Sequence, residues 1–493
     1  MAFQRSSGVL LHVTSLPGPY GIGDLGPAAH AWIDWVADTG CRYWQLLPLG
    51  PTGYADSPYA SFSSFAGNPY LVSPELLVAD GLITQEDIGT PSSDDSAVDF
   101  GRVIPWKIDL LDTAYSRLSG QLHTEFVAFR NDEANWLDDF SLFMAIKEDH
   151  GNGAWADWPA ELRHRDGDAL NAARERLASA VERHAFRQFV FFRQWSSIRE
   201  HAASNGVEII GDIPLYAAHD SADVWAHPEL FAIDPETSRP TLVAGVPPDM
   251  FSETGQLWGN PLYRWDVHAT DGFAWWLDRL AAVFRQVDVL RIDHFTGFAR
   301  YYEIPGSDDT AENGAWRDGP GAGVFDAAHR SLGELPIIAE DLGPLGDVVE
   351  ELRRRLGFPG MKVLQEAFDG DPANMFHPDN YAEDFVVYTG THDSDTSRGA
   401  FYSADDDYRR RVLDYTGDTP DTYPWGLIEA AWRSVAVIAV TPLQDLLGLG
   451  TEARMNYPST IGGNWQWRME PGVATPELAA RLAELNAATD RSG

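Results

Sequence analysis

The chain has 493 residues, of which 44% are hydrophobic and 12% aromatic, so it can form a large core and is not a disordered polymer. It carries 36 Lys and Arg against 74 Asp and Glu, a net charge of −38, which excludes the positive surface that nucleic acids and anionic membranes require. Its single cysteine, Cys41, excludes an internal disulfide and a thiolate-rich metal cluster. Because no run of about 18 apolar residues and no good signal peptide is present, we expect a cytoplasmic protein.

The basic residues are mostly arginine: three are lysines and 33 are arginines. Excess carboxylate with little lysine gives a surface that stays hydrated and self-repelling in strong salt. The composition therefore favours a halophilic protein from a salt-rich cytoplasm. An ordinary acidic protein from a GC-rich genome is the alternative interpretation.

Short apolar runs that end in polar or acidic residues recur along the chain and predict buried parallel strands. These runs are Tyr43–Leu47, Pro69–Val72, Val207–Asp212, Val287–Asp293, Ile337–Glu340, Met361–Leu364, Phe385–Tyr388 and Val435–Val440. Amphipathic helical stretches lie between several of them. Eight strands that alternate with helices predict an α/β protein with a (β/α)8 TIM barrel.

A plain barrel needs only about 250 residues. The surplus predicts a single catalytic barrel domain, residues 1–493, with large, mainly helical insertions between barrel strands. We place these insertions at about 74–205, 217–270 and 305–333.

Acidic residues follow three of the predicted strands, at the end of a barrel where catalytic side chains stand. Asp293 ends VDVLRID, Glu340 follows PIIA, and Asp393 comes shortly after FVVY. Retaining glycosyl transfer needs a nucleophilic carboxylate and a carboxylic acid ~5–5.5 Å apart. Asp293 suits the first role, because Arg291 faces the same side of the strand and favours its charge. Glu340 suits the second role and Asp393 that of a third, sugar-holding carboxylate, although each acid alone could be structural.

Two other patterns in the sequence look like a zinc site and a dinucleotide-binding loop, but their contexts argue against both. His294 and His392 could be mistaken for a zinc pair, but zinc takes three or four ligands and each histidine sits beside a carboxylate. GIGDLG at 21–26 fits the GxGxxG spacing, but prolines separate it from any preceding strand, so a tight turn is predicted. We therefore expect no metal and no organic cofactor.

Nine strings in order resemble the 4-α-glucanotransferase family, also called amylomaltase or disproportionating enzyme, of glycoside hydrolase family 77. The resemblance extends from about residue 7 to 468. The strings are SGVLLHVTSLPGPYGIGDLG, YWQLLPLGPTGYADSPYASFSSFAGNPYLVSP, IGDIPLYAAHDSADVWA, GVPPDMFSETGQLWGNPLY, RIDHFTGFARYYEIP, IIAEDLG, GMKVLQEAFDGDPAN, TGTHDSDT and RMNYPSTIGGNWQWR.

The resemblance implies a role for each matching residue. Asp293 would be the nucleophile, Glu340 the general acid/base and Asp393 the transition-state stabiliser. The implied substrate-binding residues are Arg291, Asp212 and His392 around the reacting sugar, Tyr59 as an aromatic platform, Asp249, Phe251, Trp258 and Asn260 in a lid over the acceptor, and Asn464 in the terminal motif. The implied substrates are maltooligosaccharides and α-1,4-glucans, and the implied activity is transfer of a glucan segment between them.

The sequence departs from the family pattern at several positions. Met250 and Glu366, on the implied acceptor side, replace residues that are usually aromatic or apolar. Thr296, Ser394 and Ser459 replace the usual Arg, Asn and Gly. Because Met lacks a flat π surface, weaker acceptor stacking is expected.

Two other functions remain open at this point. An α-glucan hydrolase of the amylase type would use the same three carboxylates. A non-catalytic glucan-binding protein on a decayed barrel is the second alternative, but the intact carboxylates argue against it. Product analysis separates transfer from hydrolysis, since only transfer makes oligomers longer than the substrate.

Overall fold

The structure is a computed structural model that describes residues 3–89, 96–248, 252–343 and 345–493. Its strands are β1 (Ser6–Leu10), β2 (Tyr43–Gln45), β3 (Glu208–Pro214), β4 (Leu242–Val246), β5 (Gln256–Pro261), β6 (Val289–Asp293), β7 (Arg300–Pro305), β8 (Ala315–Asp318), β9 (Ile337–Ala339), β10 (Gly360–Val363), β11 (Phe385–Tyr388) and β12 (Ile438–Pro442).

The helices before β4 serve mainly to cover the barrel and to form the long segment between β2 and β3. They are α1 (Pro27–Asp38), α2 (Pro74–Ala79), α3 (Gln85–Ile88), α4 (Phe100–Ser116), α5 (Gly120–Asp132), α6 (Ala134–Asp149), α7 (Ala160–Arg163), α8 (Gly167–Arg176), α9 (Ala178–Ser204) and α10 (Ala222–Ala226).

The later helices alternate with the remaining strands. They are α11 (Trp265–Thr270), α12 (Ala274–Phe284), α13 (Thr296–Ala299), α14 (Gly323–Leu332), α15 (Gly346–Leu356), α16 (Ser397–Ser403), α17 (Asp406–Thr416), α18 (Trp425–Arg433), α19 (Leu443–Leu446) and α20 (Pro476–Ala488). No helix within the described ranges is long and apolar enough to span a membrane.

Eight parallel strands form the barrel in the order β10–β11–β12–β1–β2–β3–β6–β9. The remaining seam lies between β9 and β10, where the Ala339 amide donates to the Pro359 carbonyl over 2.9 Å. Parallel strands joined by helices bring all carboxyl ends to one rim. The predicted (β/α)8 barrel is therefore confirmed.

One predicted strand is wrong, and the eighth barrel strand lies elsewhere. Pro69–Val72 contains a short 3₁₀ turn, Pro69–Leu71, because Pro69 suits the first turn and the Asn68 side chain accepts a hydrogen bond from the Tyr70 amide over 2.9 Å. The missing strand is β1, which pairs with β12 and β2.

A close approach between strands explains the unusual composition of β1, which reads SSGVL. A Cβ on Gly8 would lie 2.8 Å from the Tyr43 Cβ and 2.9 Å from the Tyr43 carbonyl oxygen. Glycine is therefore required at this position, and it weakens the apolar pattern by which buried strands are predicted.

A second, antiparallel sheet stands beside the barrel mouth, with the order β5–β4–β7–β8. Its strands come from segments 217–270 and 300–318, so these parts of the chain contain strands as well as helices. This sheet forms one side of the cleft described below. The division into one domain with the insertion boundaries given above stays a prediction.

Candidate active site

Three adjacent barrel strands bring the predicted polar residues to one rim. Asp212 on β3 lies opposite Arg291 on β6, and Pro214 lies opposite Asp293. On the other side of β6, the register with β9 continues to Glu340, whose amide donates to the Ile292 carbonyl over 3.1 Å. Asp293 and Glu340 therefore stand at the ends of neighbouring strands, an arrangement compatible with the close pair of carboxyl groups that retaining glycosyl transfer uses.

The Arg291 guanidinium joins two carboxylates at the floor of the site. Its Nη1 donates to both Asp212 oxygens over 2.8 and 2.6 Å, and its Nη2 donates to Asp293 Oδ1 over 2.9 Å. Arg291 and Asp212 are buried, whereas the Asp293 side chain is 30% exposed. The arrangement leaves Asp293 with one oxygen that Arg291 does not contact.

Electrostatics favours charge on both partners of this pair. Burial opposes the charge of Arg291, but Asp212 and Asp293 outweigh it and raise the Arg291 pKa well above its ordinary value. Burial raises the pKa of Asp212 to about 6, and Arg291 limits that rise. At neutral pH both groups are ionised, so a fixed cation lies beside Asp293.

Glu340 has the properties of a carboxylic acid that holds its proton at neutral pH. It is only 8% exposed. Burial and the neighbouring Asp293 raise its pKa to about 8, while Arg291 and hydrogen bonds from the Leu342 and His294 amides, at 2.8 and 2.7 Å, oppose the rise. A protonated acid beside a carboxylate is the division of states that a retaining mechanism uses.

A strained backbone supplies one of those amide donors. His294 has a φ of +53°, in the left-handed region that non-glycine residues rarely adopt. Its amide donates to Glu340 Oε2, and its ring lies edge-on to Trp258 with 4.8 Å between the centroids. The loop after β6 is thus bent where it contacts the acid.

Asp393 lies on the loop after β11 and is half-exposed to the cleft. Enclosure opposes its charge, but His392, whose Nε2 lies 3.3 Å from Asp393 Oδ2, outweighs this effect together with Asn456 and Arg291. The pKa of Asp393 is therefore held below its ordinary value. Asp393 is the third carboxylate of the site and is ionised at neutral pH.

Tyr59 connects the two sides of the site. Its ring stacks on His392 at 4.9 Å between centroids, and its hydroxyl donates to Asp212 Oδ2 over 2.8 Å. Trp465 lies 5.8 Å from the same ring. These aromatic rings form a wall beside the carboxylates, and flat aromatic faces of this kind can stack against sugar rings.

These groups open into a cleft of about 810 Å³. Its lining includes Tyr59, Trp258, Asp293, His392, Asp393 and Trp465. Trp258 and Asn260 stand on β5 of the second sheet, and the Asn260 amide donates to the Ala217 carbonyl over 3.0 Å. A cleft of this size, lined by aromatic rings and carboxylates, fits several sugar units.

The remaining predicted residues fall outside this arrangement. Asp249 and Phe251, together with Met250, lie outside the described residues. Asn464 is 7% exposed, and its side chain accepts from the Tyr457 amide over 2.9 Å and donates to the Thr460 carbonyl. In this structure Asn464 therefore closes its own loop rather than lining the cleft.

Sequence reasoning missed two residues of the site, Asn456 and Trp465. Asn456 donates to Asp393 Oδ1 over 2.6 Å, and Trp465 lies beside Tyr59. Both belong to the RMNYPSTIGGNW string, in which the family resemblance implies a binding role for Asn464 alone. The available signal was the residue types alone, an amide two residues after Arg454 and an indole two residues after Gly463.

No group of three or more His, Cys, Asp or Glu side chains within the described ranges could hold a metal ion. The site instead offers Asp293 beside the protonated Glu340, a third carboxylate and aromatic surfaces. This donor set suits acid-assisted displacement at a sugar carbon.

Comparisons with known proteins agree with this geometry. The sequence profile of the 4-alpha-glucanotransferase family matches residues 11–475. The chain is 49% identical to the 4-alpha-glucanotransferase of Thermus thermophilus over the full length of both proteins. It is 45% identical to that of a Synechocystis strain, over 98% of this chain and 97% of the relative.

Comparison with solved structures also points to an amylomaltase fold. The amylomaltase of Streptococcus agalactiae in complex with acarbose matches with a TM-score of 0.96 and 38% identity, covering 99% of this chain and 100% of that one. Corynebacterium glutamicum amylomaltase, at 18% identity and a TM-score of 0.78, covers 99% of this chain and 75% of that one and supports the fold alone. The chain belongs to the 4-alpha-glucanotransferase family.

Proposed function

We propose that this enzyme transfers α-1,4-glucan segments from a donor to an acceptor glucan by double displacement with retention, and that Asp293, Glu340 and Asp393 carry the chemistry. The observation that carries the proposal is the arrangement around Arg291. Its cation donates a hydrogen bond to Asp293 over 2.9 Å, while the adjacent Glu340 keeps a proton because burial and Asp293 raise its pKa to about 8.

In the first step, an Asp293 oxygen attacks the anomeric carbon of the donor, and the glycosidic bond breaks. Glu340 gives its proton to the leaving oxygen, so the reducing-end fragment departs as a neutral alcohol. The glucosyl unit remains as an ester on Asp293. Asp393, ionised beside His392, stabilises the positive charge that develops on the sugar ring in both transition states.

The second step reverses the first with a different alcohol. Once Asp293 is esterified, burial still raises the Glu340 pKa but the charge of Asp293 no longer does, and the ionised Glu340 can act as the base. It removes the proton from an acceptor hydroxyl, whose oxygen attacks the anomeric carbon and displaces Asp293. Because each displacement inverts the configuration at the anomeric carbon, the product keeps the configuration of the donor.

Transfer requires that a sugar acceptor react before water does. The rings of Tyr59, Trp465 and Trp258, all in the lining of the cleft, offer stacking surfaces along it. Bound sugar is thereby held at high effective concentration, and water is excluded from the ester. We propose maltooligosaccharides and longer α-1,4-glucans as donors and acceptors.

Product analysis on maltotriose tests this function. Wild-type enzyme should produce glucose together with oligomers longer than maltotriose, whereas Asp293→Asn should produce neither. Asp318→Asn, at a 92% exposed side chain on β8, is a matched control that should keep the wild-type pattern. Only shorter sugars from the wild-type enzyme would indicate a hydrolase and contradict the proposal.

We also propose that the enzyme works in a salt-rich cytoplasm. The net charge of −38 supports this, and all three lysines, Lys107, Lys147 and Lys362, are buried. The exposed basic side chains are therefore arginines and histidines. The unfolding midpoint should rise with added KCl up to molar concentrations, whereas a midpoint that does not change or falls would contradict this setting.

A further inference from the structure

The carboxylate of Asp393 is held from a distant part of the chain. Asn456 Nδ2 donates to Asp393 Oδ1 over 2.6 Å, and Arg454 Nη2 donates to the Asp393 backbone carbonyl over 2.7 Å. These donors follow the short 3₁₀ turn at Thr451–Ala453, about sixty residues after Asp393. Side chain and backbone of Asp393 are thus both attached to the segment 454–456.

That segment is itself braced. Arg454 Nε donates to the Asn456 carbonyl over 2.7 Å, and its guanidinium lies 4.5 Å from the centre of the Tyr457 ring. The Trp465 amide donates to the Met455 carbonyl over 2.7 Å. Asn456 is therefore presented to Asp393 by a supported backbone rather than by a free loop.

The two carboxylate oxygens of Asp393 have different partners. Oδ1 accepts from Asn456, while Oδ2 faces His392 Nε2 at 3.3 Å. A neutral amide donor fixes the rotation of the carboxylate without cancelling its charge. This matters because a half-exposed aspartate on a loop can otherwise rotate about two bonds, and small misplacements of a catalytic group are costly.

We infer that Asn456 is a positioning residue, which orients the Asp393 carboxylate for the transition state of glucosyl transfer. The inference rests on the proposed function, since it gives Asp393 its role in that reaction. It explains why the terminal motif RMNYPST approaches the catalytic rim. Asn456 acts through Asp393 and not by a reacting atom of its own.

Kinetics of two variants on maltotriose test the inference. Asn456→Ala should lower kcat by about 10- to 100-fold with little change in KM, because the transition state loses an oriented charge while ground-state binding is kept. Asn456→Asp has the same shape but places a second carboxyl against Asp393. Asn171→Asp, at an exposed position of α8, is the control for the same chemical change and should leave kcat and KM unchanged.

The pH dependence separates positioning from a merely structural role. Two facing carboxyls share a proton at low pH, and that proton restores a hydrogen bond to Asp393. The ratio of Asn456→Asp to wild-type kcat should therefore rise as the pH falls from about 8 to about 5. The ratio for Asn456→Ala should stay constant.

Three outcomes would overturn the inference. A raised KM with unchanged kcat would make Asn456 a direct substrate contact. Unchanged kcat and KM in both variants would leave Asn456 without a role. A ratio of Asn456→Asp to wild-type kcat that does not change with pH would make the effect of Asn456 structural. If the wild-type enzyme makes no oligomers longer than maltotriose, the proposed function itself fails, which the product pattern reports separately. Asn456→Asp keeps the test valid if the alanine variant misfolds.

Discussion

Arg291 contacts both oxygens of Asp212 through one nitrogen while its other terminal nitrogen holds Asp293. The pair is almost completely buried, with side chains 5% and 1% exposed. Asp212 therefore fixes the cation that Asp293 needs, although Asp212 is one strand away. The relationship couples the stability of the barrel rim to the position of the proposed nucleophile, Asp293.

Removing the Asp212 charge should weaken the fold as well as the activity. Asp212→Asn leaves a buried guanidinium partly uncompensated, so the free energy of unfolding should fall by about 3 kcal/mol or more. Asp326→Asn, which breaks the exposed Asp326–Arg355 pair, should cost less than about 1 kcal/mol. Denaturant unfolding measures both, and equal losses would contradict the account.

The Glu340 pKa of about 8 predicts the alkaline limb of activity. The acid must be protonated to start the first step, so kcat/KM should fall as the pH rises through about 8. The limb should be absent from the residual activity of Glu340→Gln, whose amide does not titrate. An alkaline limb centred near the ordinary Glu value of 4.5 would contradict this assignment.

The same group makes stability depend on pH. Because the folded-state pKa of Glu340, about 8, lies above its ordinary value of 4.5, the folded protein binds the extra proton between these values. This contribution to stability is fully present below pH 4.5 and is lost as the pH rises through about 8. Glu340→Gln should remove it, so the variant should gain stability relative to wild type between pH 5 and 9. A difference that does not change with pH would contradict the raised pKa.

Much of this architecture follows from the sequence, but some of it does not. Strands such as Val289–Asp293 were predictable because branched apolar residues run directly into the acids that they position. Strand β1 was not, since Gly8 is required by the approach of Tyr43, a contact between strands that a local pattern does not contain. Asn456 was missed for a similar reason: its partner is Asp393, and nothing in its own neighbourhood indicates a carboxylate.

The Gly8 contact gives a direct test of the β1 assignment. Gly8→Ala should destabilise the protein by about 1–3 kcal/mol, because the added Cβ would overlap Tyr43. Gly18→Ala is the control, since no atom lies within 4 Å of a Cβ there. Thermal unfolding of both variants measures the difference, and equal midpoints would contradict the pairing of β1 with β2.

Ser459, where the family resemblance implies a glycine, has a φ of +63°. Left-handed backbone costs a side-chain-bearing residue about 1–2 kcal/mol, so Ser459→Gly should stabilise the protein once the greater freedom of unfolded glycine is subtracted. Ser197→Gly, inside α9, should instead destabilise it by about 0.5 kcal/mol. A lower unfolding midpoint for Ser459→Gly would contradict the observed backbone conformation.

The burial of every lysine predicts the result of chemical labelling. Lys107 donates to the Val72 carbonyl over 2.6 Å, and Lys147 pairs with Asp220 over 2.6 Å. An amine-directed acylating reagent should therefore modify the folded protein only at its terminal amine, as judged by intact-mass measurement. The same reagent should add to Lys107, Lys147 and Lys362 after unfolding in guanidinium, and rapid labelling of any of them in the folded state would contradict their burial.

The covalent ester on Asp293 is the central claim, and peptide mass spectrometry tests it most directly. Glu340→Gln should be incubated with an α-maltosyl fluoride donor, whose leaving group needs no acid, so that the first step proceeds and the base-dependent second step stalls. We expect a maltosyl adduct on the peptide that contains Asp293, and no adduct when Asp293→Asn is added to the same background. An adduct on another residue, or none while fluoride is released, would contradict it.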